Sequence, residues 1–592
     1  MKIILSTLNS KYIHSNLAIR YLDKYVEDIA KVETLEYTIN QSIDFIVSEI
    51  YKKKPDLIGF STYIWNIEET LKICEILKMV LPNIKIVLGG PEVSFDGKQI
   101  LEEEQYIDFI IYGEGELTFK ELVENFISES QDYSHILGLI YRQGELILKN
   151  GVRPLIKKLD TIPSPYINIG NQFENKIVYY ESSRGCPFGC EFCLSSTIDG
   201  VRYFGIDRVL KDLEKLIEGK VNQVKFVDRT FNANKKHIMA IMNFIIEKDP
   251  VDINFHFEVT AHLLDEETLE FLRQIKEGLF QFEIGVQSTN DQTIDVVGRT
   301  TDFDKLVYVV EKIKSYKNIH QHLDLIAGLP YEGYDSFKKS FNDVYDIRPE
   351  KLQLGFLKLL KGSGLRFNEK EYGYKYLNSP PYEVLENNYM NYGEIIKLKG
   401  IEDLVEKYYN DGFFKHSLEF VILNFFNDSF SFYEDFSLFW DMKDYGKISH
   451  SKNSLYEILM EYYLYKKYKY VNIFTELLKF DYIFNNRKSK LPKGLNRVYD
   501  PSVQKNLHEI LKDDRLLNTH LNEYKNITTK KLVNKVIVDD FNVNVFKIID
   551  NGYKPISEEE KIYILFDYIG GKIVKTVYYN ISQIVRELIY FG

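Results

Sequence analysis

The sequence predicts an α/β protein with two successive domains of alternating strands and helices and a mostly helical C-terminal region that ends in strands. Strand-length apolar runs alternate with amphipathic helical segments up to about residue 150, and the same alternation resumes at residue 176. This alternation indicates parallel sheets covered by helices. Beyond about residue 370 it gives way to aromatic-rich helical segments. We expect a first domain at 1–150, a proline-containing linker at 151–175, a second domain at 176–370 and a C-terminal domain of unknown role at 371–592.

Composition favours a globular protein of the cytoplasm. Of the 592 residues 45% are hydrophobic, and no apolar run reaches the ~18 residues that a membrane span needs. The N-terminal stretch MKIILSTL is typical of a first buried strand rather than of a signal peptide. A formal net charge of −12 argues against nucleic acid as a partner. We therefore expect a cytoplasmic protein that binds neither a membrane nor nucleic acid.

The first domain shows the doubly wound, flavodoxin-like pattern. A hairpin is predicted around Gln143 and Gly144, after the alternating strands and helices. The predicted strands are MKIILSTL, VETLEYTI, DLIGFSTY, KIVLGG and DFIIYGEGE. Ligands of such sheets bind at the carboxyl ends of the strands. In this chain those ends carry FSTYIWN, LGGPEVS and YGEGE.

The second domain contains six predicted strands, and all but the last are followed by a helical stretch. They are IVYYESSRG, QVKFVDRT, INFHFEVTA, LFQFEIGVQS, HLDLIAGLP and KLQLGFLKLL. This count predicts a partial (β/α)6 barrel of the TIM type, whose active site lies in the loops after the strands. In the C-terminal region the segment after Pro380 and Pro381 is expected to be helical. The stretches NKVIVDDFNVNVFKIID and KIYILFDYIGGKIVKTVYYN are expected to form strands.

Three of the four cysteines occur within eight residues, just past the first strand of the second domain. RGCPFGCEFC contains Cys186, Cys190 and Cys193, whereas Cys74 occupies an apolar helix position typical of a buried residue. Clustered thiols in a reducing compartment indicate metal ligation or catalysis. Thiolates suit iron–sulfur clusters and zinc, and three of them leave one iron of a four-iron cluster without a protein ligand. A zinc site with a distant fourth ligand and three unrelated cysteines are the alternatives.

The segment CPFGCEFC, with Phe192 at its aromatic position, resembles the cysteine loop of the radical SAM superfamily. The resemblance implies a [4Fe–4S] cluster on Cys186, Cys190 and Cys193. It also implies that S-adenosylmethionine (SAM) chelates the open iron and yields a 5′-deoxyadenosyl radical. A six-stranded barrel is typical of the same superfamily. Matched segments at the strand ends imply further contacts to SAM, from Asp228, Arg229, Thr230 and Glu258. The same match places Gln287 and Asp324 near the ribose and Arg299 at the carboxylate.

The segments LGGPEVS and YGEGELTFKEL in the first domain resemble the cobalamin-binding domain of class B radical SAM methylases. By that resemblance the cobalamin contacts are Ser61, Thr62, Gly89, Gly90, Pro91 and Glu114. The D-x-H-x-x-G motif that supplies a cobalt ligand in other cobalamin proteins is missing from the sequence. We expect His14 to serve at the start of a helix and cobalt to lack a histidine ligand. A flavodoxin-like module without cobalamin is the alternative.

The sequence predicts a cobalamin-dependent radical SAM enzyme, foremost a methyltransferase that acts on an unactivated carbon. The expected partners are an unidentified small-molecule or peptide substrate and a reductant such as flavodoxin or ferredoxin. Ring formation or oxidative rearrangement on the same architecture is one alternative, and a cobalamin-binding sensor or scaffold is another. A third alternative, a tRNA-modifying methylthiotransferase, is disfavoured because such enzymes carry three further cysteines in their N-terminal domain. This chain has only Cys74 there.

Overall fold

The computed structural model describes residues 1–592 except 168, 171, 488–489, 496–499, 557–559, 570–574 and 592. Contacts within the chain divide it into two compact units. Unit 1 comprises Met1–Asp343 and Leu354–Ile395, and unit 2 comprises Val344–Gln353 and Ile396–Gly592. None of the helices in the described ranges combines the length and the apolar character needed to cross a bilayer.

The N-terminal sheet has seven strands in the order β2-β1-β3-β4-β5-β6-β7. Its strands are β1 (Ile3–Asn9), β2 (Val32–Thr38), β3 (Leu57–Ser61), β4 (Lys85–Gly89), β5 (Phe109–Ile111), β6 (Leu139–Gln143) and β7 (Leu146–Lys149). The first five strands are parallel, and their order 2-1-3-4-5 is that of the flavodoxin-like fold. The predicted hairpin is β6–β7, which extends the sheet in antiparallel fashion. The doubly wound prediction is therefore confirmed.

Helices cover both faces of this sheet because successive strand residues point to opposite sides. The helices are α1 (Leu17–Tyr25), α2 (Ile43–Lys53), α3 (Ile67–Val80), α4 (Pro91–Ser94), α5 (Gly97–Glu103) and α6 (Glu116–Ile127). On β1, Ile4 belongs to the core under α2 and α3, whereas Ile3 and Leu5 belong to the core under α1 and α6. Cys74 is fully buried in α3, as its apolar position indicated.

The second sheet has six strands in the order β15-β14-β13-β12-β11-β8. Its strands and an inserted ribbon, in chain order, are β8 (Ile177–Tyr180), β9 (Ser183–Cys186), β10 (Gly200–Tyr203), β11 (Gln223–Phe226), β12 (Asn254–Val259), β13 (Phe280–Gln287), β14 (His320–Ala327) and β15 (Lys351–Phe356). The six predicted strands thus form one parallel sheet in chain order, which confirms the partial barrel. The antiparallel ribbon β9–β10, which flanks the cysteine loop, was not predicted.

Alternation along the barrel strands separates an apolar outer face from a polar inner face. The helices are α7 (Ile206–Glu218), α8 (Lys235–Lys248), α9 (Glu266–Leu272), α10 (Asp291–Val296), α11 (Phe303–Tyr316), α12 (Tyr334–Asp346) and α13 (Gly364–Phe367). On β13 the side chains of Phe282 and Ile284 are fully buried, whereas the alternate residues Glu283 and Gln287 are only partly buried. This register brings the polar residues of β12, β13 and β14 onto one face.

The remaining elements are β16 (Lys375–Tyr376), β17 (Val384–Glu386), α14 (Tyr392–Val405), α15 (Lys415–Phe425), α16 (Ser429–Met442), α17 (Lys452–Tyr465), α18 (Val471–Asn485), α19 (Pro501–Ile510), α20 (Asp514–Thr519), α21 (Thr529–Leu532), β18 (Val536–Phe541), α22 (Val545–Asp550), β19 (Ile562–Ile569), β20 (Lys575–Asn580) and α23 (Ser582–Arg586). Strands β18, β19 and β20 form an antiparallel sheet. The predicted helical region with terminal strands is therefore confirmed in outline.

Two local predictions in this region are wrong. The segment after Pro381 is not helical until Tyr392, because its backbone pairs with the chain that follows β15. Val384 N donates to Leu357 O, and Leu359 N donates to Tyr382 O. The expected strand over NVNVFKIID is instead α22, whose first turn is capped by the side chain of Asn544.

Candidate functional site

The three clustered cysteines lie at the carboxyl end of the barrel, where Cys186 ends β9 and Cys190 and Cys193 lie in the loop that connects β9 to β10. Glu191 N, within this loop, donates to Val297 O at 2.9 Å. A Cβ at Gly298 would lie 2.9 Å from Gly189 O, so the loop approaches the end of α10 very closely. The loop is thus held against the segment that follows the fourth barrel strand. All three thiols are free.

Two thiols of the cluster loop lie near polar groups from other parts of the site, and the third accepts a hydrogen bond from within the loop. Cys186 Sγ lies 3.4 Å from Thr230 Oγ1, which follows β11. Cys190 Sγ lies 3.9 Å from Arg299 Nη1, and burial raises the pKa of the Cys190 thiol. Cys193 Sγ accepts a hydrogen bond from Ser195 N at 3.4 Å. Thr230 and Arg299, which were both predicted to contact SAM, therefore lie next to the cysteines.

Three predicted SAM residues have buried polar atoms that find no hydrogen-bond partner among the residues that the structure describes. These atoms are Arg299 Nε, Gln287 Oε1 and Asp324 Oδ1. Gln287 ends β13 at a bulge with a φ of 73°, and a Cβ at Gly285 would collide with its amide. Buried polar groups normally have partners, and three unpaired ones on neighbouring elements of the barrel are compatible with a bound ligand. A donor, an amide and a carboxyl group converge here, which fits the amino, carboxylate and ribose groups of SAM.

The carboxyl groups of the inner face have different charge states. Burial, together with nearby Glu283 and Glu258, raises the pKa of Asp324 to about 8, so this group holds its proton at neutral pH. Burial also raises the pKa of Glu258, although Arg229 lies 3.9 Å away and opposes that shift. Burial opposes ionisation of Glu283, but a close contact with His256 at 2.9 Å and the charge of Lys225 at 3.0 Å lower its pKa to about 2. The inner face thus offers a neutral carboxylic acid beside paired charges.

Asp228 has both carboxylate oxygens occupied by protein groups. It accepts hydrogen bonds from the Ser182 backbone at 2.9 Å, the Ser182 hydroxyl at 2.7 Å and the Ser183 hydroxyl at 2.5 Å. Burial raises its pKa to about 6. Its side chain holds the start of the ribbon that leads to Cys186. Phe192, at the aromatic position of the loop, is partly buried against an apolar cluster that includes Leu329 and Leu357.

A cavity of about 590 Å³ lies between the carboxyl edge of the N-terminal sheet and the inner face of the barrel. On the sheet side it is lined by Ser61, Gly89 and Gly90. On the barrel side it is lined by residues that include Arg229 and Glu258. One chamber therefore brings together residues predicted for cobalamin and residues predicted for SAM.

Three other residues predicted for cobalamin do not line this cavity within the described part of the chain. Thr62 is fully buried and donates its hydroxyl to Gly89 O at 2.9 Å. Pro91 begins α4, and Glu114 is engaged by Arg184 and Arg202. Thr62 thus fixes the glycine turn, and Glu114 binds protein cations.

Sequence reasoning missed several residues that line the cavity. Tyr63 and Trp65 stack with ring centroids 4.4 Å apart, and Trp65 Nε1 donates to Leu8 O at 3.2 Å. The sequence feature that could have identified Tyr63 and Trp65 is their position in FSTYIWN, at the carboxyl end of a buried strand. Lys225 and Tyr179 had no signal except strand alternation. His14 also lines the cavity, and its Nδ1 lies 2.8 Å from the Tyr179 hydroxyl.

The family comparisons agree with this geometry. Residues 3–123 match the B12 binding domain, and residues 180–344 match the radical SAM superfamily. Residues 370–566 match a protein family of unknown function, DUF4080.

Several relatives are methyltransferases by name. An uncharacterized methyltransferase of Pyrococcus horikoshii is 28% identical over 325 residues, which cover 53% of this chain and 70% of that protein. The cobalamin-dependent radical SAM methyltransferase TokK of Streptomyces tokunonensis is 26% identical over 342 residues, which cover 54% of this chain. The match spans only half the length of TokK.

A solved structure shows the same fold. The radical SAM methyltransferase TsrM of Kitasatospora setae, with cobalamin and a [4Fe–4S] cluster bound, superposes with a TM-score of 0.56. The superposition covers 64% of this chain and 79% of TsrM at 15% sequence identity. The chain joins a B12-binding domain to a radical SAM domain and a DUF4080 region, and it is a cobalamin-dependent radical SAM enzyme whose cofactors are a [4Fe–4S] cluster, SAM and cobalamin.

Proposed function

We propose that this enzyme is a methyltransferase that methylates an unactivated carbon of an organic substrate. The observation that carries the proposal is the single cavity between the two cofactor-binding domains. It is lined by Gly89 and Gly90 on the sheet side and by Lys225, Arg229 and Glu258 on the barrel side. A substrate in this cavity would therefore be in reach of both the cobalamin-binding domain and the radical SAM domain.

When bound, the cluster with SAM supplies a hydrogen-abstracting radical and cobalamin supplies a transferable methyl group. The chain contributes orientation. Arg299 and Gln287 present unpaired polar atoms for SAM, and Asp324 presents an unpaired carboxyl oxygen. Since this carboxyl group is protonated at neutral pH, it can donate a hydrogen bond without adding charge to the inner face.

The apolar wall of the chamber suits the cobalamin side. Leu5, Leu22, Val87 and Phe119 line it between the sheet and the helices α1 and α6. An apolar pocket of this kind accepts the aromatic base of the cofactor and excludes water. Gly89 and Gly90 leave the mouth of the pocket free of side-chain bulk.

We further propose that electrons come from a separate protein such as flavodoxin or ferredoxin. The chain has four cysteines, of which three lie in the cluster loop. The fourth, Cys74, is fully buried in α3. These cysteines are enough to bind one iron–sulfur cluster but not a second cluster that could relay electrons to the first. This supports an external electron donor.

Labelled SAM tests the methyltransferase proposal. The reconstituted enzyme is incubated anaerobically with a reductant, cobalamin, a metabolite extract and SAM labelled in its methyl group. We expect a product that carries the label, together with 5′-deoxyadenosine, and neither in the Cys190→Ala variant. Extract-dependent 5′-deoxyadenosine without transfer of label would instead support ring formation or oxidative rearrangement. No SAM cleavage under any reducing condition would support a sensor or scaffold.

A further inference from the structure

Both glycine-containing turns on the cobalamin side of unit 1 are followed by acidic residues whose side chains reach the radical SAM domain. Glu92 comes two residues after Gly90, and Glu114 comes directly after Gly113. The sequence pattern indicated that these turns hold a cofactor. In the structure their carboxylates bind basic residues far along the chain.

The first set of contacts, the α4 clamp, consists of Glu92, Asp96, Lys361 and Tyr382. Lys361 Nζ lies 3.2 Å from Glu92 Oε1 and 2.9 Å from Asp96 Oδ2. The Tyr382 hydroxyl donates to the same Glu92 oxygen. Glu92 is only 2% exposed, so its charge is removed from water and depends on these partners.

The loop that carries Lys361 also contacts the cluster loop. Leu365 N donates to Glu191 O at 3.0 Å, and Glu191 lies between two of the cluster cysteines. At Gly362 the chain has a φ of 85°, and a Cβ there would lie 2.2 Å from the Phe95 ring, which follows α4. One short segment is therefore pressed between α4 and the cluster loop.

The second set of contacts, the ribbon clamp, consists of Glu114, Glu116, Arg184 and Arg202. Arg202 donates to both Glu114 oxygens, at 3.1 and 2.9 Å. Arg184 lies 3.2 Å from Glu114 and 2.6 Å from Glu116. Arg184 and Arg202 are cross-strand neighbours on β9–β10, and β9 ends at Cys186.

We infer that the α4 clamp and the ribbon clamp are positioning devices that set the distance between the cobalamin site and the cluster. They join each cofactor turn of the sheet to one of the two segments that hold the cysteine loop. The inference rests on the proposed function because a methyl donor and a radical generator must act on one substrate. Lys361 and Arg202 are positioning residues, since neither lines the cavity within the described part of the chain.

Other contacts between the two domains keep a clamp variant folded. Lys176 lies 2.9 Å from Glu36, and Ser15 Oγ donates to Ile177 O at 2.8 Å. Arg20 also donates to Gln172 of the linker at 3.0 Å. Loss of one clamp therefore loosens the spacing of the two cofactor sites without separating the domains.

The test measures the cofactor spacing directly in the full-length holoenzyme. Lys361→Met and Arg202→Met are made singly and together. The readout is the relaxation of the bound cob(II)alamin electron spin by the reduced cluster, recorded by electron paramagnetic resonance. This effect depends steeply on distance. We expect each single variant to weaken it, and the double variant to weaken it at least twofold. Iron content, cobalamin content and SAM cleavage without substrate should stay within twofold of the wild type.

The matched control is Lys375→Met, which breaks an exposed ion pair with Glu386 and should leave the relaxation unchanged. Lys361→Arg and Arg202→Lys should restore most of the wild-type relaxation, because they return the cation. Unchanged relaxation in the double variant would overturn the inference, as would loss of either cofactor from both single variants. Absence of methyl transfer from SAM in the wild type would refute the proposed function alone, because the relaxation measurement needs only bound cofactors.

Discussion

The guanidinium group of Arg299 lies 3.9 Å from the sulfur of Cys190, a residue 109 positions earlier in the chain. A second nitrogen of the same group donates to Gly285 O on β13. In the described part of the chain, Arg299 Nε has no hydrogen-bond partner. The cation thus joins a cluster ligand to the fourth barrel strand and keeps one buried donor for a ligand.

Replacement of Arg299 by alanine should weaken SAM binding by roughly tenfold or more. A charge-assisted hydrogen bond contributes about 1.5–3 kcal/mol, and 1.4 kcal/mol is tenfold in affinity. SAM binding is titrated in protein with full iron content. Arg299→Lys keeps the positive charge but loses the planar guanidinium group. The SAM affinity of this variant should therefore lie between those of the wild type and of Arg299→Ala. Equal SAM affinity in the alanine variant would show that Arg299 does not hold SAM.

Replacement of Cys190 by alanine should abolish the [4Fe–4S] cluster, because two thiolates are too few to hold it. Iron, sulfide and visible absorbance are measured after anaerobic reconstitution. Cys74→Ala is the matched control, since Cys74 is a fully buried thiol in α3, outside the cluster loop. It should keep the full iron content. A Cys190→Ala protein with wild-type iron and absorbance would refute the ligand assignment.

Replacement of Gly90 by alanine should destabilise the LGGPEVS turn by about 2 kcal/mol or more. The φ of Gly90 is 118°, and a Cβ would lie 2.4 Å from Thr62 O. At Gly89 an added Cβ would make only ordinary contacts, at 3.8 Å and beyond. Thermal unfolding of the cofactor-free protein compares the two alanine variants. Equal midpoints would contradict the strain argument.

Replacement of Asp324 by asparagine should change the pH dependence of stability. The folded-state pKa of about 8 lies above the ordinary aspartate value, so the folded protein keeps a proton that the unfolded chain loses. The stability contribution of Asp324 is therefore fully present below about pH 4 and is lost as pH rises to about 8.

Relative to the wild type, Asp324→Asn should gain about 1–3 kcal/mol between pH 5 and pH 7. Denaturant unfolding of both proteins at both pH values measures this difference. Titrating groups that the wild type and the variant share contribute equally to both, so their contributions cancel in the comparison. A pH-independent difference would show that Asp324 titrates normally.

Much of the site was predictable because its signals are local. The spacing of Cys186, Cys190 and Cys193 defines a ligand loop without any tertiary information. Strand ends were predictable from apolar runs, so Gln287 and Arg299 could be matched to a known pattern. The unpaired atoms of both residues now support that match.

Other candidate side chains are engaged by protein groups that lie far along the chain. Glu114 follows a glycine turn, which suggests a cofactor contact, yet its partner Arg202 is 88 residues away. Asp228 ends a barrel strand, yet its carboxylate holds Ser182 and Ser183. Nothing in the local pattern distinguishes a carboxylate that faces a ligand from one that faces an arginine.

The sequence by itself determined the order of the domains, the cysteine loop and the two parallel sheets, because periodicity and short-range spacing are encoded within single elements. Only the tertiary structure decided where the polar side chains are directed. It placed Glu92 on Lys361, made the segment after Pro381 extended rather than helical, and enclosed one cavity between the two domains. The physical reason is that burial, ion pairing and backbone pairing depend on groups that meet only when the chain has folded.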